Sequence, residues 1–511
     1  VNDWSPRTFA AAWRSAVDRQ PDSPFLIFEG PDGRIDEWTY AAFDGLTDRV
    51  AGRLHSLGVS PGDAVHLALA NSPAFVAVWL AAIGMGAWIV PSDPMARTPE
   101  LRDHIERTAP VVGVCAASRA ETYRAAAGDL IILEVDEADP SPAALLGEPY
   151  GGCPTIGHDD RAAVMFTSGT TGRPKGVLIS QANYAFAGHV MAQTANLQAS
   201  DRYLVVLPMF HANAQYYSFA SAIEAGASVA LIHTFSASGF LGQAARHQAT
   251  CASLFAAPIR MVLARGGPVD DLVLRHCWFA QNLDPSQYEM IANWMGCRPR
   301  QLYGMTETIP AVLTDREADP IPDSMGFVSS GCLVDVQDID GRSVEPGEIG
   351  EIVVGGVPGT TLFSGYLDDP TTTDASFRNG WFLTGDRATR TTDGRHQFDG
   401  RRSDVLKVAG ENVSTVEVEA MLTSHPDVFE AAVVGAQDPI RDEVPVAFVV
   451  PATGARPDPD ELIDWCSQHL AKAKVPKAIG LLDELPRTSV GKIRKFVLAA
   501  GADDLTRKEL S

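Results

Sequence analysis

Between residues 39 and 304 the chain keeps one rhythm, in which short apolar runs alternate with segments of helical spacing. From Thr39 to Gly58, TYAAFDGLTDRVAGRLHSLG places apolar side chains at helical intervals and stops at a glycine. DAVHLALA then reads as a strand, PAFVAVWLAAIGMG as a helix and AWIVP as a strand. The pattern returns at RYLVVLP, SFASAIEAGASVALI, FLGQAARHQATCASLFAAP and PSQYEMIANWMGCRPRQLYG. Strands separated by helices cannot pair through tight turns, so this alternation predicts an α/β fold with parallel sheets.

The rhythm breaks twice. From about Gly326, GFVSSGCLVDVQDIDGRSVEPGEIGEIVVGG holds short strands between Gly, Asp and Pro turns, which predicts a small β-rich part over about 326–400. After HQFDGRRSD, the runs VEVEAMLTSHPDVFEAAVVGAQD and PVAFVVP predict a small α+β unit. Within it DPDELIDWCSQHLAK opens as a helix should, with Asp458 as N-cap, Pro459 at the first position and Glu461 at the third. The expected division is therefore a large domain over 1–402 and a small one over 403–511. A chain of 511 residues exceeds what one core holds.

The formal charge of -23 argues against a nucleic-acid partner, because phosphate backbones need a basic footprint. The seven cysteines are scattered, with no pair at zinc-ligand spacing, and read as reduced, buried thiols of a cytoplasmic protein. The opening residues VNDWSPRTFAAAWRSAVDRQ carry no basic region followed by an apolar core, so a secretory signal is not expected. The long apolar stretch AFVAVWLAAIGMGAWIV reads as a buried helix followed by a strand rather than a membrane span.

FTSGTTGRPKGV, from Phe166 to Val177, follows the strand-like AAVMF. A loop leaving the carboxyl end of a sheet strand is where α/β proteins place ligands. Small residues let backbone N–H groups approach phosphate oxygens, hydroxyls add donors, and Lys175 adds a point charge. The strip lacks the G-x-x-x-x-G-K-[ST] spacing of a Walker loop, since Arg-Pro-Lys-Gly follows Gly172.

T-S-G-T-T-G-R-P-K-G resembles the phosphate-binding loop of the adenylate-forming superfamily of acyl-CoA synthetases, peptide-synthetase adenylation domains and luciferases. The rest of that family's pattern follows in order: YGMTET at 303–308, GWFLTGD at 380–386, DGRRSDVLKVAGENVSTVEVE at 399–419 and LPRTSVGKIRK at 485–495. VLPMFHANAQ, YGMTETI, AGENVS and IRDEVPVAFVV look closest to crotonobetaine/carnitine-CoA ligases. The resemblance spans nearly the whole chain.

It implies a two-step acid–thiol ligase. A carboxylate attacks the α-phosphate of ATP to give an acyl-adenylate and pyrophosphate. The thiol of coenzyme A then attacks the activated carbonyl, and AMP leaves. By the same resemblance Thr167, Ser168, Gly169, Thr170, Thr171, Gly172 and Lys175 hold the β- and γ-phosphates. Thr306 bonds the α-phosphate and Glu307 ligates Mg²⁺. Tyr303 stacks on adenine, and Asp386 with Arg401 binds the ribose diol. Lys492 bridges the substrate carboxylate and the α-phosphate, neutralising two like charges that must meet. Lys495 and Arg494 are expected as surface charges. His211 gates an acyl pocket walled by Gln215, Tyr216 and Tyr217 on one side and by Gly304, Met305 and Ile309 on the other. Ala409 and Gly410 line the pantetheine tunnel of a small domain that swings after adenylation, with its hinge at Ser403.

Two places depart from the family pattern. The hinge is commonly Asp or Lys and here is Ser403. The segment facing adenine usually carries small residues and here reads Gln281, Asn282, Leu283, whose side chains can either hydrogen-bond the base or crowd the acyl pocket; Asn282 is expected at the nucleotide. A carnitine-like acid would want an aromatic partner for its quaternary nitrogen, which Tyr216 or Tyr217 supplies, and both suit a large apolar acid equally well. Three rivals share these residues: an enzyme that only adenylates and passes the acyl group to a carrier protein or partner enzyme, a non-catalytic nucleotide sensor, and a luciferase-like oxygenase. Intact AGENV, Glu307 and Lys492 favour the ligase. The partners expected are a small carboxylic acid, ATP and CoA, with no membrane span; dimers are common among relatives.

Overall fold

The computed structural model describes residues 4–167, 174–316, 320–401, 405–408, 411–438, 442–487 and 493–508. The chain divides into two compact units, one of residues 1–335 with 354–382 and one of 336–353 with 383–511.

The first unit is built on two large sheets. One has the strand order Phe327–Val328, Leu313–Thr314, Arg300–Tyr303, His276–Ala280, Cys251–Phe255, Arg202–Val205, Ser228–Ile232, Pro24–Glu29, Ile35–Thr39. Its six central strands, Arg300–Tyr303 through Pro24–Glu29, run parallel, and antiparallel strands flank them. The other has the order Gly365–Tyr366, Lys175–Ser180, Arg161–Thr167, Trp88–Pro91, Ala64–Ala68, Val112–Ala116, Ile131–Val135. The five strands from Arg161–Thr167 onward are parallel, and the first two run against their neighbours. Central strands such as Ala64–Ala68 and Val112–Ala116 are buried along their whole length, as helices on both faces require.

Local chemistry fixes the covering helices. Helix Tyr40–Ser56 starts where the Thr39 hydroxyl accepts the Ala42 N–H, and helix Pro73–Gly84 where Ser72 caps Phe75 with proline at the first position. Each such cap stabilises a helix by about 1 kcal/mol. Pro73–Gly84 is apolar all round and buried from Pro73 to Ile83, so the stretch that resembled a span is a core helix. No helix among the described residues is long and apolar enough to cross a membrane.

In the second unit, the described strands of the carboxyl-terminal sheet run in the order Glu411–Ser414, Val405–Val408, Asp442–Pro451, Val428–Asp438, with Ala478–Leu481 parallel to Asp442–Pro451. Helix Pro459–His469 begins as its sequence dictates: Asp458 accepts the Asp460 N–H and proline follows at once. Lys495 is part-exposed and paired: it meets Glu419 at 2.8 Å and donates to Thr415 at 3.0 Å, while the exposed Arg494 lies 4.9 Å from the Phe496 ring centroid. One expectation needs correction. The thiols are free, but only Cys115, Cys251, Cys277 and Cys466 are buried, and Cys153 is exposed.

Candidate active site

Four carboxyl ends of parallel strands deliver the residues singled out in the sequence. Arg161–Thr167 ends at Thr167, Arg202–Val205 leads into LPMFH, His276–Ala280 leads into Gln281 and Asn282, and Arg300–Tyr303 ends at Tyr303. In open α/β sheets this edge is the ligand edge.

The glycine-rich strip spans a hairpin rather than a strand-to-helix turn. Arg161–Thr167 and Lys175–Ser180 are antiparallel, with Thr167 opposite Lys175. Ser168 to Gly172 lie outside the described residues; Thr167 and Lys175 are the two ends. The Arg107 guanidinium braces this hairpin from helix Thr98–Thr108. It sits 4.7 Å from the Phe166 ring centroid and donates to the Pro174 carbonyl at 2.8 Å. Phe166 in turn stacks on His104, with ring centroids 3.9 Å apart.

Tyr303-Gly-Met-Thr-Glu307 turns sharply after its strand. The Thr308 hydroxyl accepts the Met305 N–H at 2.9 Å and donates to the Met305 carbonyl at 3.1 Å. Gly304 admits no side chain: a Cβ there would lie 2.8 Å from the Tyr217 hydroxyl and 2.9 Å from the Pro310 carbonyl. Ile309 is buried with φ of 72°, a conformation that a β-branched residue adopts only under constraint. Thr306 is half-buried, while Glu307 is 5% exposed and accepts the Tyr366 hydroxyl at 3.0 Å. Among the described residues no cluster of three or more metal-ligating side chains occurs. A single buried carboxylate fits Mg²⁺, which takes one or two carboxylates and fills its shell with water and substrate phosphate.

The segment after PMF is a π-helix, Asn213–Ala220, and it is buried throughout. Such wide turns recur at functional sites because they re-aim side chains. Gln215 is committed to the scaffold, since it accepts the Tyr184 hydroxyl and donates to the Met209 carbonyl at 2.6 Å. Asn71 fixes the same loop by accepting the Met209 N–H at 2.8 Å. Tyr217 reaches Gly304 as described, whereas the buried Tyr216 hydroxyl has no hydrogen-bond partner among the described residues. Burial pushes both phenols up, so both stay neutral. His211 is half-buried, its ring 4.2 Å from that of Phe210.

Gln281 and Asn282 are exposed, and Gln281 has φ of 73°. The Asn282 side chain accepts Gln301 Nε2 at 3.0 Å. Leu283 turns inward and packs in the core cluster with Phe279, Tyr288 and Ile291, so it does not crowd an acyl pocket. In the second unit Asp386 is 2% exposed and stands opposite Arg401 across an antiparallel pair. Ser403, Ala409, Gly410 and Lys492 lie outside the described residues.

The family description of AMP-binding enzymes matches residues 13–367, and that of their C-terminal domain matches residues 417–492. The chain belongs to the AMP-binding enzyme family. Among similar proteins, the crotonobetaine/carnitine–CoA ligase of Salmonella arizonae is 32% identical over 510 residues, covering 94% of this chain and 97% of that one. Among solved AMP-binding structures, ATP-bound MatB from Rhodopseudomonas palustris superposes with a TM-score of 0.89 at 26% identity, covering 97% of this chain and 99% of that one. The o-succinylbenzoate CoA synthetase MenE of Bacillus subtilis, in complex with the acyl-adenylate OSB-AMP, has a TM-score of 0.83 at 27% identity, covering 97% and 98%. Sequence reasoning missed two residues that brace these segments, Arg107 and Tyr366. Their partners lie 67 and 59 residues away along the chain, and no local pattern marks such ties.

Proposed function

We propose that the protein is an ATP-dependent acid–thiol ligase. It activates a carboxylic acid as its adenylate, releasing pyrophosphate, and transfers the acyl group to coenzyme A, releasing AMP. The observation that carries this reading is the placement of Thr167, Lys175, Tyr303 and Glu307 after carboxyl ends of parallel strands, in a chain of this family.

Both half-reactions move negative charge on phosphate, so the protein's work is positioning and electrostatics. Lys175 and the strip from Thr167 to Gly172 hold the β- and γ-phosphates, and Thr306 donates to the α-phosphate. Glu307 would hold Mg²⁺, which when bound shields phosphate charge and orients the leaving pyrophosphate. Tyr303 packs on the adenine and Asn282 offers its amide at the base. Asp386 accepts from the ribose diol beside Arg401. Lys492 supplies the cation that lets the substrate carboxylate meet the α-phosphate, and Ala409 and Gly410 leave room for pantetheine. His211, Gln215, Tyr216, Tyr217, Gly304, Met305 and Ile309 shape the acyl pocket. We take 1–402 and 403–511 as the working domains with the hinge at Ser403 and the compartment as the cytoplasm, with a homodimer as the assembly to test for.

The test is incubation with ATP, Mg²⁺ and a panel of betaine, aromatic, polycyclic and aliphatic acids, with and without CoA, read by mass spectrometry. An acyl-CoA with equimolar AMP from one class of acid is the expected result. An adenylate that accumulates and stays unconverted in the presence of CoA would overturn the ligase reading in favour of an enzyme that only adenylates.

A further inference from the structure

Tyr366 belongs to none of the motifs that carry the family pattern. It ends the short strand Gly365–Tyr366, which pairs antiparallel with Lys175–Ser180 and places Tyr366 opposite Val177. The Leu367 N–H donates to the Gly176 carbonyl at 2.8 Å and fixes the strand to the hairpin foot. From there the side chain meets two groups at once. The Lys175 ammonium stands 4.6 Å from the centroid of the Tyr366 ring, and the Tyr366 hydroxyl donates to Glu307 Oε1 at 3.0 Å. The same segment holds the Glu307 main chain, because the Phe363 N–H donates to the Glu307 carbonyl at 2.9 Å. Tyr366 is 6% exposed.

These contacts join two groups that come from different parts of the chain. Lys175 carries a long, freely rotating stem, and an aromatic face under its ammonium restricts where the charge can stand. Glu307 carries three rotatable bonds, and a donor on one carboxylate oxygen restricts its orientation. A phenol ordinarily keeps its proton at neutral pH, so the hydroxyl is a donor to the carboxylate oxygen that it meets.

We propose that Tyr366 is a positioning residue that couples the phosphate-binding lysine to the metal-binding glutamate, setting the distance between the cation for the β- and γ-phosphates and the carboxylate for Mg²⁺ with one rigid ring. The inference rests on the roles given above to Lys175 and Glu307. Partners that orient a metal-binding carboxylate are worth roughly 10- to 100-fold in metal affinity.

The ring and the hydroxyl do separable jobs, and two full-length variants separate them. Tyr366→Phe keeps the face under Lys175 and removes the bond to Glu307, whereas Tyr366→Leu removes both. Binding of a non-hydrolysable ATP analogue, titrated by calorimetry with and without Mg²⁺, reads each arm without turnover, and thermal unfolding controls for folding. The expected result for Tyr366→Phe is metal-free affinity within about twofold of wild type and a roughly tenfold loss of the tightening that Mg²⁺ brings. Tyr366→Leu should in addition lose roughly fivefold in metal-free affinity. Wild-type tightening by Mg²⁺ that persists unchanged in Tyr366→Phe overturns the proposal and leaves the ligase reading intact. Equal losses with and without Mg²⁺ in Tyr366→Phe, together with a lowered thermal midpoint, also overturn it by reducing Tyr366 to a structural residue. Where Tyr366→Leu fails to fold, Tyr366→Phe alone decides. A wild-type protein that binds no analogue overturns the ligase reading and this proposal together.

Discussion

Glu307 shows what a single residue costs and contributes. Taking a carboxylate to 5% exposure is unfavourable unless hydrogen bonds replace its water, and Tyr366 supplies one of them. A buried carboxylate kept for chemistry carries a desolvation cost that a neutral isostere relieves while removing the charge the chemistry needs. Glu307→Gln is therefore expected to cut adenylate formation by about 100-fold or more while leaving the thermal midpoint unchanged or slightly raised. Pyrophosphate exchange and thermal unfolding, measured on the same preparation, check both halves. At this scale the sequence pointed to Lys175 and Glu307 separately, and the fold brings both against Tyr366. The sequence left Gln281, Asn282 and Leu283 open, because neighbouring identity says nothing about which way a side chain turns after a strand, and Leu283 turns into the core. Gln281 at φ of 73° sets that turn, and the backbone angle is not written in the residue type.

At the scale of elements, the seven-stranded sheet carries a buried polar chain. The Tyr123 hydroxyl lies 2.7 Å from His66 Nδ1, and Ser92 Oγ lies 2.9 Å from His66 Nε2 and 2.7 Å from His104 Nδ1. Burial, with His104 adding to it, lowers His66 to about 3; burial, with Arg107 adding and Asp103 opposing, lowers His104 to about 4. Both imidazoles are neutral in the fold and titrate near 6.5 when unfolded. The unfolded chain therefore binds more protons below that value. Stability from this cluster is complete above about pH 6.5 and drains away as pH falls toward the folded values. The thermal midpoint is expected to drop steadily from pH 6.5 to 4, and His66→Gln with His104→Gln should flatten that slope; scans at half-unit intervals test it. Helices with local start signals, such as Tyr40–Ser56 and Pro459–His469, were legible because cap and period sit in the same few residues. The π-helix Asn213–Ala220 was not, since its extra residue per turn follows from packing against Tyr184, Gly304 and their surroundings.

For the whole molecule, the alternation of strands and helices announced parallel sheets, because that class of architecture has its own period. What periodicity does not carry is order: that Ser228–Ile232 sits between Arg202–Val205 and Pro24–Glu29 depends on long-range pairing alone. A two-step reaction in one chain makes a separable prediction. If Lys492 serves only the first step, Lys492→Ala should lose adenylate formation by about 100-fold or more, yet convert a supplied acyl-adenylate to its CoA thioester within a few-fold of wild type. Single-turnover mass spectrometry of each half-reaction distinguishes this from a variant damaged in both.

The hairpin that carries the glycine-rich strip has its two feet nailed down. Thr167 and Lys175 face each other across the ladder, and Arg107 grips Phe166 beside one foot and Pro174 beside the other. The two strand ends are therefore held in one register. One residue more or fewer could not be absorbed by sliding a strand, since a slip of one position would turn every side chain of Lys175–Ser180 to the opposite face. The register of the ladder, and with it the side of the sheet to which Lys175 belongs, is the quantity that these footings hold constant.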